Sequence, residues 1–533
     1  MCNIRLVLML CLGTLAVSCH KQEDTKAMRH QQQSLSLNIF TEPPTMDPGL
    51  VQDVTSAHVM KMVFEGLTRH SEQGVMLAIA ESIDISEDGR TYTFVLRKSL
   101  WSNGDPLTSH DFEYAWKRQL FPAFPAGLGE LLYVIKGAKD AKNGLISLDE
   151  IGIHSIDDHT LVVQLENPTP YFTQMLELPP FYPLHRASVE SNAVWSADTS
   201  DEYISNGPFI LAHWSHHDQI VLPRNPNYWD TKSVKLNKIT LQMIEDSNTE
   251  LALFQEGDID WAGLPFSRSL APDSIVPLLA AGEVRVTEMA ATAFYIFNIS
   301  KPPFDNVKMR RAFSYAINRD EIVKNITCAG ELPATSVTPP SILHAHVEYF
   351  ADANLSEARR LFQEALQELG ITKEQLPPIT LNYNTNQLHN KVAQAVQQQW
   401  YNAFGIKIQL EHQEWKVFLD RVNSKDFSLA GLSFMSIYND PLSLLELFNS
   451  RDSNMNASGW DDPIYADLIE RANHTVDSTE RLKILAEAEQ RLIEEMPVAP
   501  VYFPNSASLR DPALKGYFID PIGWGDVKTA YFE

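Results

Sequence analysis

The chain has 533 residues, with 43 lysines and arginines against 68 aspartates and glutamates and a formal net charge of -25. That balance excludes an ordinary nucleic-acid binder, because no basic field exists to neutralise phosphates. The length exceeds what one core holds, so two or three domains are expected, and a hydrophobic share of 44% is that of a globular body.

The first segment reads as a targeting signal. Arg5 gives a thin positive start, Leu6 to Val17 form an apolar run of about a dozen residues, and Ala16 to Ser18 are small or apolar ahead of Cys19. The run is shorter than the roughly 20 apolar residues that cross a bilayer. Residues 1–18 are therefore expected to be removed, and residues 19–35, polar and without an apolar period, to form a tether. The Ala16-Val17-Ser18-Cys19 stretch resembles the lipobox of bacterial lipoproteins, with Ala16 where leucine is usual; the resemblance implies lipidation of Cys19 and a membrane anchor. Cys2 and Cys11 leave with the signal, so Cys328 alone remains in the folded body and forms no intramolecular disulfide.

Further along, Asp88-Gly89 marks a turn, and Tyr92, Phe94 and Leu96 alternate on one face of a strand over 91–96. Thr108 and Asp111 form a capping box ahead of Phe112, Ala115, Trp116 and Leu120, which predicts a helix. A strand follows at 161–165. Ala358, Leu361, Phe362, Ala365, Leu366 and Leu369 recur at helical spacing and stop at Gly370. Ile379, Leu381 and Tyr383 predict a strand, 388–404 a helix closed by Gly405, and Ile406, Ile408 and Leu410 another strand. Helix and strand in alternation describe an α/β layering.

Enzymatic motifs are lacking: no phosphate loop, Gly-x-Ser-x-Gly elbow, His-Glu-x-x-His helix or Cys-x-x-Cys pair occurs. His216-His217 and His344-x-His346 have no third ligand at a familiar spacing and read as surface histidines. No catalytic residue, metal or cofactor is expected. Each of the ten tryptophans is expected to pack in a core.

Several segments, in order, resemble the oligopeptide-binding group of the bacterial extracellular solute-binding proteins, family 5, which serve peptide ABC importers. They are Met46-Asp47-Pro48, Val63-Phe64-Glu65-Gly66-Leu67, Asp88-Gly89 with Phe94-Val95-Leu96-Arg97, and Trp101 through Thr108 with Asp111-Phe112. Asn206-Gly207-Pro208-Phe209, Arg224 through Asp230, Lys301-Pro302-Pro303-Phe304 with Arg310-Arg311-Ala312, and Pro497 through Tyr502 continue the match. The resemblance implies a two-lobed periplasmic-binding-protein fold of type II, in the large peptide-binding class. Its main lobe would comprise 36–64, 189–290 and 505–533, with an inserted domain over 65–188 and a second lobe over 291–504. It also implies a monomer without enzymatic activity, lipid-anchored on the periplasmic or extracellular face, that captures a short peptide between its lobes and delivers it to ABC permease subunits. The alternatives are a binder of murein peptides or of a non-peptide solute and, from another class, an enzyme or adhesin on the same scaffold.

By the same resemblance, Gln52-Asp53-Val54 would contact ligand backbone, Tyr133 would be a cleft aromatic, Trp415 a pocket wall, and Tyr438-Asn439-Asp440-Pro441 the cleft motif. The family's aspartate for the ligand ammonium is here Ile437; its pocket arginines become Val422, beside Arg421, and Gly431; its aligned aromatic is Phe434. A buried ammonium without an anion costs on the order of several kcal/mol, so the amino-terminal clamp does not simply carry over. Asp440 or another acid supplies the charge, the amino group stays hydrated, or the ligand is an unconventional peptide such as a cell-wall fragment; the last is slightly preferred.

Overall fold

The computed structural model describes residues 26–198, 203–270, 272–451, 456–520 and 522–533. The signal and the lipidation site expected at Cys19 lie outside them. Among the described residues no helix is long and apolar enough to cross a membrane.

Two sheets organise the body. The first has seven strands in the order 213–215, 219–223, 238–242, 34–38, 261–263, 505–510 and 285–288. Its centre is the parallel pair Ser34–Asn38 and Lys238–Gln242, with Leu35 opposite Ile239 and Leu37 opposite Leu241. All five residues of Ser34–Asn38 are buried, as expected of a parallel strand covered on both faces.

The second sheet has six strands in the order 332–333, 498–503, 291–297, 429–435, 380–384 and 409–413. Tyr295 pairs with Gly431 across it, and a Cβ at Gly431 would lie 3.0 Å from the Tyr295 ring, so a larger residue would have to push that ring aside by a few tenths of an ångström. Helices Val307–Tyr315, Leu355–Leu369 and Gln387–Phe404 cover one face through Trp400, which packs 5.1 Å from Phe313 and 5.9 Å from Tyr295. Both long helices end where their glycines turn left-handed, at Gly370 and Gly405. The strand expected from Ile406 starts three residues later, at Gln409. Its register is set by parallel pairing with Thr380–Asn384, from Gln409 opposite Thr380 onward, and not by the alternation that precedes it.

A smaller antiparallel sheet orders 80–85, 91–96, 160–164 and 153–157. Tyr92, Phe94 and Leu96 are buried on one face of it. Helix Ser109–Leu120 has the expected capping box, the Thr108 N–H donating to Asp111 at 2.8 Å, and it buries Phe112, Ala115, Trp116 and Leu120.

The tether expected over 19–35 is folded from residue 26 onward. Residues 26–31 are helical, and Lys26, Arg29 and His30 share one helical face. Lys26 meets Asp511 at 2.5 Å, Arg29 meets buried Asp260 at 2.6 Å, and His30 stacks on Phe532 at 4.0 Å. Two buried carboxylates need cationic partners, and this polar stretch supplies them. Trp415 departs from the expectation of core packing: it is 50% exposed.

The chain passes between the two large sheets at 289–290 and again at 504. The passages touch, because the Met289 N–H donates to Pro504 O at 3.3 Å. Nearby, Glu489 of helix Ser478–Glu495 accepts the N–H groups of Val337 and Thr338, each at 2.6 Å, just before Pro340. Burial pushes the Glu489 carboxyl from its ordinary 4.5 up to about 7. An acid with a raised folded pKa favours the folded state below its unfolded pKa, and that contribution is lost as pH rises through the folded value. Urea unfolding between pH 4.5 and 8 should show the wild type losing on the order of 3 kcal/mol that Glu489→Gln does not lose. Parallel profiles for the two proteins would contradict the burial of an ionisable Glu489.

Candidate functional site

A groove of about 1120 Å³ lies beside the passage at 289–290, lined by Val286, Thr287 and Glu288 of the first large sheet and by residues that follow strands of the second. His70, Gln174 and Glu288 line one side, and Ser341, His346 and Asn439 the other. Of the expected contact residues, Asn439 alone lines this groove. Its side-chain Oδ1 is buried and has no hydrogen-bond partner among the described residues.

The loop bearing Asn439 follows strand Leu429–Met435 and is tightly held. The Ser436 N–H donates to Ala290 O at 2.7 Å, the Ser436 hydroxyl donates to Tyr438 O at 2.7 Å, and the Ile437 N–H donates to Ser443 Oγ at 2.9 Å. Tyr438 stacks on Tyr171 with ring centroids 4.2 Å apart and planes within 3°. The Asn439 N–H donates to Gln174 Oε1 at 3.0 Å. Tyr171 and Gln174 flank or belong to the short helix Phe172–Met175, more than 260 residues away in sequence. This seam joins the segment around 171–174 to the second sheet.

Asp440 is not available to a ligand. Arg481 of helix Ser478–Glu495 grips its carboxylate through two bonds of 2.6 and 2.9 Å, and both side chains are buried. The Arg481 guanidinium also lies 5.4 Å from the Tyr171 ring centre. Asp440 as the acid that replaces the missing clamp is therefore set aside: its charge is already matched, and releasing it would leave Arg481 buried and alone.

The other expected contacts are dispersed. Gln52 and Val54 are exposed at the start of helix Val54–Val63, while Asp53 caps that helix by accepting the Ser56 N–H at 2.8 Å. Tyr133 is half-buried in the turn Gly129–Val134. Arg421 is engaged by Glu411 at 2.8 Å. Phe434 stacks over Phe294 with centroids 5.8 Å apart, and Ile437 is half-buried.

Among the described residues the histidine pairs singled out from sequence join no group of three metal-ligand side chains: His216 and His217 both contact Glu42, and His346 approaches Pro333 O at 3.2 Å. A cluster missed in the sequence adjoins the groove through His70 and Asp520. His70, Glu177 and Asp520 bring ligand-type atoms within 4.8 Å of one another. Lys61 stands 3.4 Å from Glu177 and 3.8 Å from Asp520, so an ammonium already supplies the positive charge. Lys61 and His70 hold the Glu177 carboxyl low against the opposing effect of burial, whereas burial raises that of Asp520. A lysine inside the apolar run Val59-Met60-Lys61-Met62-Val63 is the sequence signal that could have led there.

Removing Asp440 should uncover the Arg481 charge. Asp440→Ala is expected to cost about 3–5 kcal/mol in urea unfolding, with much of it regained in Asp440→Leu/Arg481→Met. A loss of less than about 1 kcal/mol, the size of a surface pair, would contradict the buried geometry.

The chain can now be placed among known proteins. The family model described as bacterial extracellular solute-binding proteins, family 5 Middle, matches residues 74–456. The oligopeptide-binding protein OppA of Bacillus subtilis (strain 168) is 39% identical over 506 residues, covering 94% of this chain and 93% of that protein. The solved Haemophilus influenzae OppA in complex with RPPGFSPFR superposes with a TM-score of 0.79 at 29% identity, covering 94% of this chain and 99% of that one. The Escherichia coli murein tripeptide binding protein MppA gives 0.80 at 28% identity, covering 94% and 98%. The two lobes, the order of their strands and the matched length lead to one conclusion: this chain belongs to the bacterial extracellular solute-binding proteins of family 5.

Proposed function

We propose that this protein captures short peptides between its lobes and delivers them, unaltered, to the permease of an ABC importer. The observation that carries this reading is the groove beside the Tyr438-Asn439-Asp440 loop. It has room for a ligand of a few residues, and Asn439 on its lining carries a side-chain oxygen that is buried and without a partner among the described residues. Peptide backbone brings N–H donors that need acceptors once buried, and Asn439 Oδ1 is one. Peptide-binding relatives of matching length and fold support the same ligand class.

In this reading the main lobe comprises 36–64, 189–290 and 505–533, the inserted domain 65–188 and the second lobe 291–504. The adjacent passages at 289–290 and 504 act as the hinge. Closure brings Gln174 and Tyr171 against Asn439 and Tyr438, and ligand favours that state only through contacts made in it. Gln52 to Val54, Tyr133, Trp415, Arg421, Phe434 and Ile437 contribute from the walls. Cys19 carries a lipid that holds a monomeric body at the membrane.

Native mass spectrometry of the full chain with a mixture of tri- to pentapeptides tests the ligand class. Retention of many unrelated peptides, unmodified, is expected. Retention of murein fragments alone would favour the specialist, and processed products or no retention would reject the proposal. Palmitate labelling in a bacterial host should mark the wild type and not Cys19→Ala; equal labelling of both would remove the anchor.

A further inference from the structure

The peptide reading leaves open which solutes the groove prefers, and the charges of its lining bear on that choice. Its carboxylates are Glu72, Glu288 and Asp520, and among the described residues that line it there is neither lysine nor arginine. His70, His344 and His346 complete its ionisable groups. Glu72 lies in the turn between strands Thr68–Ser71 and Gly74–Leu77, and Glu288 ends strand Arg285–Glu288 just before the passage at 289–290. Both residues are exposed, and neither side chain makes a hydrogen bond or ion pair with a described residue. The three acids come from separate parts of the chain, so the fold gathers them.

Buried atoms of the lining point to the same chemistry. Two side-chain atoms of lining residues are buried without a hydrogen-bond partner, Asn439 Oδ1 and Asp520 Oδ2, and both are acceptors. Asp520 is 2% exposed. Its Oδ1 accepts the N–H groups of Ile522 at 3.1 Å and Trp524 at 2.7 Å. Its Oδ2 has only the Lys61 ammonium at 3.8 Å, and that ammonium stands nearer to Glu177, at 3.4 Å. The lining thus holds acceptors and negative charge in excess. An ammonium or guanidinium answers both, since each brings several N–H donors, a positive charge and no acceptor. A carboxylate on the solute would meet like charge with no lysine or arginine in the lining to offset it.

We propose that the groove selects cationic solutes, with Glu72 and Glu288 as the carboxylates that receive an ammonium or guanidinium group of the bound peptide. This assignment rests on the peptide reading. Calorimetric titration of the full chain with four C-amidated peptides tests both: acetylated tetra-alanine, its analogues with one alanine replaced by lysine or by glutamate, and tetra-alanine with a free amino end. The lysine and free-amino peptides separate a side-chain cation from a terminal one.

The wild type should bind at least one cationic peptide about tenfold or more tighter than acetylated tetra-alanine, and the glutamate peptide weakest of the four. Preference for one cationic peptide alone identifies the source of its charge. Glu72→Gln/Glu288→Gln should erase the ratio between cationic and neutral peptides. Glu87→Gln should keep that ratio, because Glu87 is exposed but does not line the groove, and this separates the local acids from the overall charge of -25. Matching unfolding curves verify that the variants are folded. A wild type that binds the peptides without a cationic preference, a double variant that retains the preference, or an equal loss in Glu87→Gln overturns the assignment alone. A wild type that binds none of the four peptides overturns the peptide reading with it.

Discussion

A guanidinium enclosed by protein must be answered by an anion, and the Arg481–Asp440 pair is where this fold meets that demand at its most consequential point. The pair pins the end of a loop whose start is held by Ser436 on Ala290. Between those fixed points, Tyr438 and Asn439 have little freedom. Tyr438 can stack on Tyr171, and the Asn439 amide can reach Gln174, because the backbone bearing them is already ordered. The seam is thus built on an ordered loop, so the contacts made across it cost little additional conformational entropy.

Buried charge serves a second purpose elsewhere. Arg69 binds Asp526 at 2.6 and 2.9 Å, and Lys61 lies between Glu177 and Asp520, so the C-terminal segment is tied to residues near the N-terminus. Charged networks of this kind keep distant segments in one register, since a slip would strand an ion away from water. The segments around residues 61, 69 and 177 are thereby fixed against the C-terminal segment around 520–526. Between strands 285–288 and 291–297, and again between 498–503 and 505–510, the chain crosses from one large sheet to the other in two residues or fewer.

Local signals in the sequence located the elements well wherever local chemistry decides them. Capping by Thr108 and Asp111, termination at Gly370 and Gly405, and alternation of Tyr92, Phe94 and Leu96 each act within a few residues. The start of the strand at Gln409 was not legible, because its partner strand sets it. The fold of residues 26–35 was hidden for a related reason: Lys26 and Arg29 look solvated until Asp511 and Asp260 arrive from far along the chain. The same holds at the candidate site. The resemblance singled out the loop from Ile437 to Asp440, but nothing near Asp440 announces Arg481, 41 residues on, or Gln174, 265 residues back. Trp415 was set apart from the nine other tryptophans by the resemblance alone, and nothing in its sequence neighbourhood gave away its exposure.

The central claim is that the seam between Tyr171–Gln174 and Tyr438–Asn439 closes on a bound peptide. Hydrogen exchange at the Asn439 amide reads that contact directly, because this N–H donates across the seam. Saturation with a retained peptide should slow its exchange markedly relative to the ligand-free protein. An exchange rate at Asn439 that no bound peptide alters would show that the lobes do not close through this contact.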